Sequence, residues 1–389
     1  MSDPSLSDVF SADGPLASLS DGYRVRPSQV ELACAVQQTI ESGGTLVAEA
    51  GTGTGKTWAY LVPALLGSGK VLVSTGTRTL QDQLFGRDLP RVREALGVPA
   101  SIALLKGRAN YVCHYHLDRL QGDDRALKAR AEIQQLRQLQ SFARDSATGD
   151  KADLPTVPEE ADIWQRVTST RENCLGQDCP RVRDCFVLKA RRQAQEADVV
   201  VINHALFMAD LVLREEGVTD LLPGADTVIF DEAHQLPDTA TRFLGSSVST
   251  HQLQDLARQI EAAGLAYARE AAHWSDQAKR IEQAARELRL SCAALESIPG
   301  RRVTFEAFPH PAEFDLARET LALVLDEVGR MLAAVEEKHP DLAAAARSAT
   351  ELGQRVHQWG RPGRGAPEQA EGVAAIVRWV ELGLHHVRL

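Results

Sequence analysis

The sequence predicts a parallel-sheet α/β fold followed by a helical domain, and three observations carry that prediction. Short apolar, β-branched runs alternate with helical patterns from Leu46 to His234. A glycine-rich turn stands between the first of these runs and a helix. After Asp238 the strand pattern stops, and Ala, Leu, Glu, Arg and Gln recur at helical spacing. Strands alternating with helices fold as a parallel sheet covered by helices, which a purely helical series cannot build.

Taken in order, the expected strands are Leu46 to Ala48, Val71 to Ser74, Ile102 to Leu105, Val199 to Ile202 and Val228 to Phe230. The helix before the first strand is opened by Pro27 and closed by Gly43-Gly44, a start and a stop that each have a backbone reason. Between Leu117 and Trp164 a polar helix-prone stretch gives way to an irregular acidic one containing proline, which reads as an insertion within the sheet domain. In the helical part, Leu253, Leu256 and Ile260, and later Leu321, Val324 and Val328, form apolar stripes that a packed helical core explains without a cofactor. The break in that part is the Gly/Pro loop from Gly360 to Pro367, and no internal repeat is visible.

At 389 residues, 44% hydrophobic and 25% charged, the chain has room for two or three domains and the composition of an ordinary globular protein. The first twenty residues have neither a basic start nor an apolar run, and no stretch is apolar for long enough to span a bilayer, so a cytoplasmic protein is expected. A net charge of -10 weighs against nucleic-acid binding. Local charge weighs the other way, because Arg166, Arg171, Arg181, Arg183, Lys189, Arg191 and Arg192 crowd one segment. A solvated helix face accounts for such a strip equally well.

The segment Ala50-Gly51-Thr52-Gly53-Thr54-Gly55-Lys56-Thr57 follows a strand and precedes a helix, the context of a phosphate-binding loop. Its glycines let backbone N–H groups curl around phosphate oxygens at a helix N-terminus. Lys56 is placed to reach the β- and γ-phosphates of ATP, and Thr57 to ligate Mg2+. The strict pattern opens with glycine where this chain has Ala50. Asp231-Glu232-Ala233-His234 follows the strand Val228 to Phe230, at the strand end where parallel sheets present ligands. Asp231 is expected to hold Mg2+ and Glu232 to act as base on the attacking water. Together the two segments define a nucleoside-triphosphate hydrolase site.

Six cysteines in a chain without an export signal point to metal binding or burial rather than disulfides. Cys113, Cys174, Cys179 and Cys185 lie in polar, basic sequence and suit either a 4Fe-4S cluster or a tetrahedral zinc; spacing does not choose. Cys34 and Cys292 stand at helical positions and are expected to be packing residues. His114 and His116 flank Cys113 and are alternative ligands.

The ordered set Arg26-Pro27-Ser28-Gln29, AGTGTGKT, STGTRTLQDQL from Ser74, KGRANYVC from Lys106, the cysteine trio, VINH at Val201 and VIFDEAHQLPD resembles the DinG and XPD group of superfamily 2 helicases, and within it the bacterial YoaA branch. The resemblance runs from about Gly22, strong to Asp238 and faint beyond. It implies a RecA-like motor domain over 22–105 and 190–238, after a tail at 1–21. An iron–sulfur insertion at 106–189, a helical arch at 239–380 and the start of a return strand at 381–389 complete the implied layout. The implied activity is an ATP-driven 5′ to 3′ DNA helicase of the repair and replication type, acting on single-stranded or forked DNA as a monomer. Arg26 and Gln29 match the nucleotide-side motif. Thr75, Thr77 and Arg78 match the strand-end motif that touches DNA, with Lys106 and Arg108 as further DNA contacts, and His234 couples hydrolysis to DNA. The four cysteines match the cluster ligands, which tips the metal to 4Fe-4S, and Tyr111 or Phe186 is placed to pack on the cluster, on a base or in the core.

The second motor domain of such helicases, with its arginines, is expected to be missing from this chain, so weak ATP binding and poor hydrolysis are expected of it alone. Ser146-Ala147-Thr148 and Ser348-Ala349-Thr350 spell a motif of the absent part, and His357 to Arg364 has the form of its arginine motif, but none follows a strand, and the last is expected to be a loop. The rival readings are a non-motor DNA-binding module with a vestigial ATP site, and a zinc-containing ATPase acting on another polymer such as RNA.

Overall fold

The computed structural model describes residues 5–19, 22–121, 130–171, 173–215, 221–297, 302–305, 308, 310–360, 378–383 and 386–389. The chain divides into two compact units, 1–168 with 183–245, and 169–182 with 246–389.

The first unit is built on a four-stranded parallel sheet. Its strands β1 (Val71–Thr75), β2 (Ile102–Leu104), β3 (Val199–Asn203) and β4 (Thr227–Phe230) stand in the order β2-β3-β1-β4. Leu72 pairs in register with Val200 on one side and Val228 on the other, so the β-branched runs line up across the sheet. β1 is buried at every position, as expected of a strand covered on both faces. Its helices are α1 (Leu6–Val9), α2 (Pro27–Ser42), α3 (Lys56–Leu66), α4 (Arg78–Gln83), α5 (Leu89–Leu96), α6 (His114–Gln121), α7 (Arg130–Asp145), α8 (Ile163–Val167), α9 (Phe186–Glu196), α10 (His204–Glu215) and α11 (Leu236–Leu244). α2 has Pro27 in its first turn and ends at Gly43, whose φ of 67° lets its N–H turn back to Ile40. Tyr111 and Phe186 are core residues of the insertion, packed with Leu139, Ile163, Trp164 and Val167.

Two expectations change here. Leu46–Ala48 forms no strand, and Val47 is 94% exposed. A three-residue run holds strand geometry only through a ladder partner, and strand propensity alone is too small to replace one. Within the expected tail, Val9, Phe10 and Leu16 are fully buried in the core that α2, α3 and α5 share.

In the second unit, α12 (Thr250–Tyr267), α13 (Trp274–Ser291), α14 (Pro311–Ala333) and α15 (Pro340–Gly360) pack each on the next, and α15 closes on α12. A capping box between Ser249 and Gln252 starts α12. β5 (Arg302–Thr304), β6 (Trp379–Leu382) and β7 (Val387–Arg388) make an antiparallel sheet. The expected return strand at 381–389 therefore serves this unit instead: Val380 pairs with Val303, and Leu389 exchanges backbone bonds with Val248. Its apolar residues Val380, Leu382 and Val387 belong to the helical core. Ser348-Ala349-Thr350 lies inside α15, and Ser146-Ala147-Thr148 in a bend after α7. His357 to Gly360, expected in a loop, is the last turn of α15, with His357 Nε2 2.8 Å from Asp326; Arg361 to Arg364 fall outside the described residues. No helix among the described residues is long and apolar enough to cross a membrane.

Candidate nucleotide and nucleic-acid site

The phosphate loop is shaped through its carbonyls. Arg26 donates to the Gly53 carbonyl, and Gln29 Nε2 donates to that of Gly55 at 2.9 Å. Gln29 is 4% exposed and leaves no room for a Cβ at Gly55, whose φ of 84° would in any case strain an L side chain. With these carbonyls held, the N–H groups of the loop and of the α3 N-terminus remain for an anion. Thr54 Oγ1 closes the turn on the Gly51 carbonyl at 2.9 Å.

Asp231 and Glu232 meet this loop at the end of β4. The Asp231 N–H bonds the Ser74 carbonyl at 2.8 Å, which fixes the turn to β1. Glu232, with φ 55° and ψ 44°, is the non-glycine residue in the left-handed region among the described residues. Its Oε1 is 3.2 Å from Lys56 Nζ, and its Oε2 is 3.4 Å from His234 Nδ1. Burial, and then the neighbouring Glu232 charge, hold the Asp231 carboxyl above its usual pKa, and Lys56 only partly opposes them. Two crowded carboxylates beside the Thr57 hydroxyl are a hard-oxygen set that a Mg2+ ion fits, since its charge offsets what burial makes costly.

The sequence reading missed Tyr60 and His204. Tyr60, one turn after Thr57 on α3, is 7% exposed, and its phenol is pushed well above its usual pKa by burial and then by Asp231. The i, i+3 spacing from Thr57 is the sequence signal that would have found it. His204 ends the VINH run, buried, with Nδ1 2.7 Å from Ser74 Oγ.

The expected DNA contacts separate. Thr75 is 1% exposed and donates to the Thr77 carbonyl, whereas Thr77 caps α4 by accepting from the Leu80 N–H at 3.2 Å. Arg78 is exposed and paired with Glu159 of the insertion at 2.9 Å, and Arg108 is half-buried in a short turn. Lys106 does not face solvent. It is 4% exposed, with Nζ 2.7 Å from Asp82 and 2.8 Å from Asp150. Burial opposes its charge, but the bonds to Asp150 and Asp82 win and raise its pKa. A basic residue in a motif next to a strand end looks like a phosphate contact in sequence, and its carboxylate partners come from distant segments.

None of the six cysteines is in a disulfide. Cys113 and Cys185 belong to the first unit, Cys174 and Cys179 to the segment grouped with the second, and each of the four is half-buried. Their soft donors suit an iron–sulfur cluster. Among the described residues no group of three or more His, Cys, Asp or Glu side chains stands ready to hold a metal ion. Cys292 is buried, with its thiol pushed up to about 12 by burial, as a packing residue should be. Cys34, expected to pack as well, is exposed on the outer face of α2. Beside Cys185, a cavity of about 550 Å³ is lined by Arg144, Arg183, Lys189 and Arg192, with His114 stacked on Phe186 at 4.8 Å.

The profile of the DEAD/DEAH box helicase family matches residues 32–111. The chain is 47% identical over 287 residues to the protein named ATP-dependent DNA helicase YoaA of Escherichia coli, covering 73% of this chain and 45% of that one. It is 37% identical over 257 residues to ATP-dependent helicase DinG of Mycobacterium tuberculosis, covering 60% of this chain and 38% of that one. The chain thus spans less than half the length of these relatives. A solved structure described as truncated XPD aligns over 83% of this chain and 82% of its own, at 15% identity and a TM-score of 0.38, which leaves the fold assignment to the strands and helices themselves.

Proposed function

We propose that this chain, which carries a DEAD/DEAH box helicase domain, is the ATP-binding motor half of a DNA helicase of the DinG and YoaA type that moves 5′ to 3′ on single-stranded or forked DNA. The observation that carries the reading is the meeting of Lys56 with Glu232, 3.2 Å apart, beside Thr57 and Asp231. It joins the two halves of a triphosphate site.

In this reading Lys56 leaves Glu232 for the phosphates, while Arg26 and Gln29 keep the loop in shape. Thr57 and Asp231 would hold Mg2+, which would supply neutralising charge to the phosphate oxygens. Glu232, freed from Lys56, takes the proton from a water whose oxygen bonds to the γ-phosphorus as the bond to the ADP oxygen breaks. His234, next to Glu232 and exposed, passes the state of the site to bound DNA. Arg78, Thr77 and Arg108 are the DNA contacts this reading keeps. The layout remains 22–105 with 190–238 as motor domain, 106–189 as insertion and 239–380 as arch. Cys113, Cys174, Cys179 and Cys185 are proposed as ligands of a 4Fe-4S cluster on the chemistry of four soft sulfur donors in one insertion, none of them in a disulfide. No step of hydrolysis passes through it.

The test is phosphate release by the purified chain with and without oligothymidine, beside Lys56→Ala. DNA-stimulated release that Lys56→Ala lowers on the order of a hundredfold supports the motor. Release that is unaffected by Lys56→Ala supports the non-motor module instead. A brown protein with broad visible absorbance supports the cluster, and a colourless zinc-loaded one excludes it.

A further inference from the structure

His204 is the first residue of α10, directly after β3, and its ring is 1% exposed. Nδ1 lies 2.7 Å from the hydroxyl of Ser74, which is itself fully buried on β1. The carbonyl of that same Ser74 accepts the Asp231 N–H at 2.8 Å. On the other side the imidazole packs near Phe230, the residue before Asp231, with ring centroids 6.0 Å apart. Nε2 is buried without a hydrogen-bond partner, next to the backbone of Asp231 and Glu232.

With Nδ1 accepting a hydrogen bond from the Ser74 hydroxyl, the ring's own hydrogen stands on Nε2, facing the Asp-Glu backbone. A buried N–H without a partner is costly, and such atoms occur where a group must switch partners. Ser74 is the common point: one atom of it holds His204, another holds Asp231, and the next four residues are Thr75, Gly76, Thr77 and Arg78. Gln235 closes the same junction, packed so tightly on Gly76 that a Cβ there would stand 2.2 Å from it.

We propose that His204 is a positioning residue that couples the strand end Thr75–Arg78 to the Asp231-Glu232 turn, with its free Nε2–H closing on a peptide carbonyl of that turn. Nucleic acid on Arg78 and nucleotide at Glu232 then bias one another through Ser74 and the ring. This inference rests on the proposed function, from which it takes the two ligands.

Coupling between two sites is a ratio of affinities and is the same measured from either side. The measurement is therefore the Kd of a non-hydrolysable ATP analogue with Mg2+, with and without saturating oligothymidine, for the full chain. The wild type should show a coupling factor of about five or more. His204→Phe should bring the factor to about one while each separate Kd stays within about twofold. His204→Gln, whose amide nitrogen reaches the Nε2 position, should restore part of it, which a filler of space would not do. Ser74→Ala keeps the ring and should lose coupling in the same way, which guards against a misfolded His204→Phe. Wild-type coupling in both His204→Phe and Ser74→Ala overturns the inference, as does a wild type that binds both probes with a factor of one. A wild type that binds neither probe overturns the helicase reading itself.

Discussion

Lys56 Nζ lies 3.2 Å from Glu232 Oε1 across 176 positions of sequence. The ammonium of the phosphate loop thus occupies itself with the carboxylate proposed as base. Each side chain is about a third exposed, at 32% and 30%, so the pair adds little to stability and gives way readily to a triphosphate.

Asp231→Asn should stabilise the nucleotide-free fold while abolishing hydrolysis. Because the folded carboxyl holds its proton more tightly than the unfolded one, Asp231's contribution to stability is full below its ordinary value of 3.8 and is lost as pH rises through the elevated folded value. At neutral pH the ionised group is a burden on the fold, which Asn removes. Thermal unfolding from pH 3 to 7 should show Asp231→Asn gaining on the wild type as pH rises. A variant that melts lower than wild type at pH 7 contradicts this.

Glu232 separates strain from chemistry. Its φ of 55° costs roughly 1 kcal/mol for an L residue, so Glu232→Gly should recover up to about that amount. Glu232→Gln keeps the strain and should lower hydrolysis by about 10²- to 10⁴-fold with nucleotide binding retained. Denaturant melts and single-turnover phosphate release read the two effects independently.

Lys106 and Arg78, both basic and both expected from the sequence to contact DNA, should respond oppositely to salt. Arg78→Ala should reduce the slope of log K against log[salt] for oligothymidine by about 0.7, one phosphate contact on a single strand. Lys106→Met should leave the slope alone and cost about 3 kcal/mol of stability, since it strands Asp150 in the interior. Binding titrations over a salt series, with a melt of each variant, decide. A lowered slope for Lys106→Met would return it to the DNA surface.

Gly264→Ala should destabilise the helical unit although alanine is the better helix former. A Cβ there would stand 2.2 Å from the Trp274 ring, which is 1% exposed and bonded through Nε1 to the Ala268 carbonyl at 2.7 Å. The overlap should cost about 1–3 kcal/mol, more than the gain of about 1 kcal/mol in propensity. Chemical denaturation of the variant measures the balance.

The strands of the sheet were legible because a strand buried on both faces is written as a nearly continuous apolar run, as in Val71 to Val73 and Val199 to Ile202. The ends of α2 were legible because Pro27 and Gly43 act on their own backbone. The phosphate loop and the Asp-Glu-Ala-His turn were readable for the same reason: each is a contiguous segment whose chemistry follows from residue type and local conformation. Leu46–Ala48 shows where that stops, since a strand needs a partner that its own sequence does not name.

What the sequence determined by itself was therefore local: the elements, the loop that takes phosphate, the carboxylates that serve it, and the thiols available to a metal. Tertiary structure alone decided which groups face each other. It buried Lys106 between Asp82 and Asp150, brought His204 to Ser74, set Tyr60 beside Asp231 and turned residues 379–389 into the helical unit. Those outcomes depend on burial and on charge partners supplied from far along the chain, and a side chain's pKa and availability are properties of its surroundings rather than of its motif.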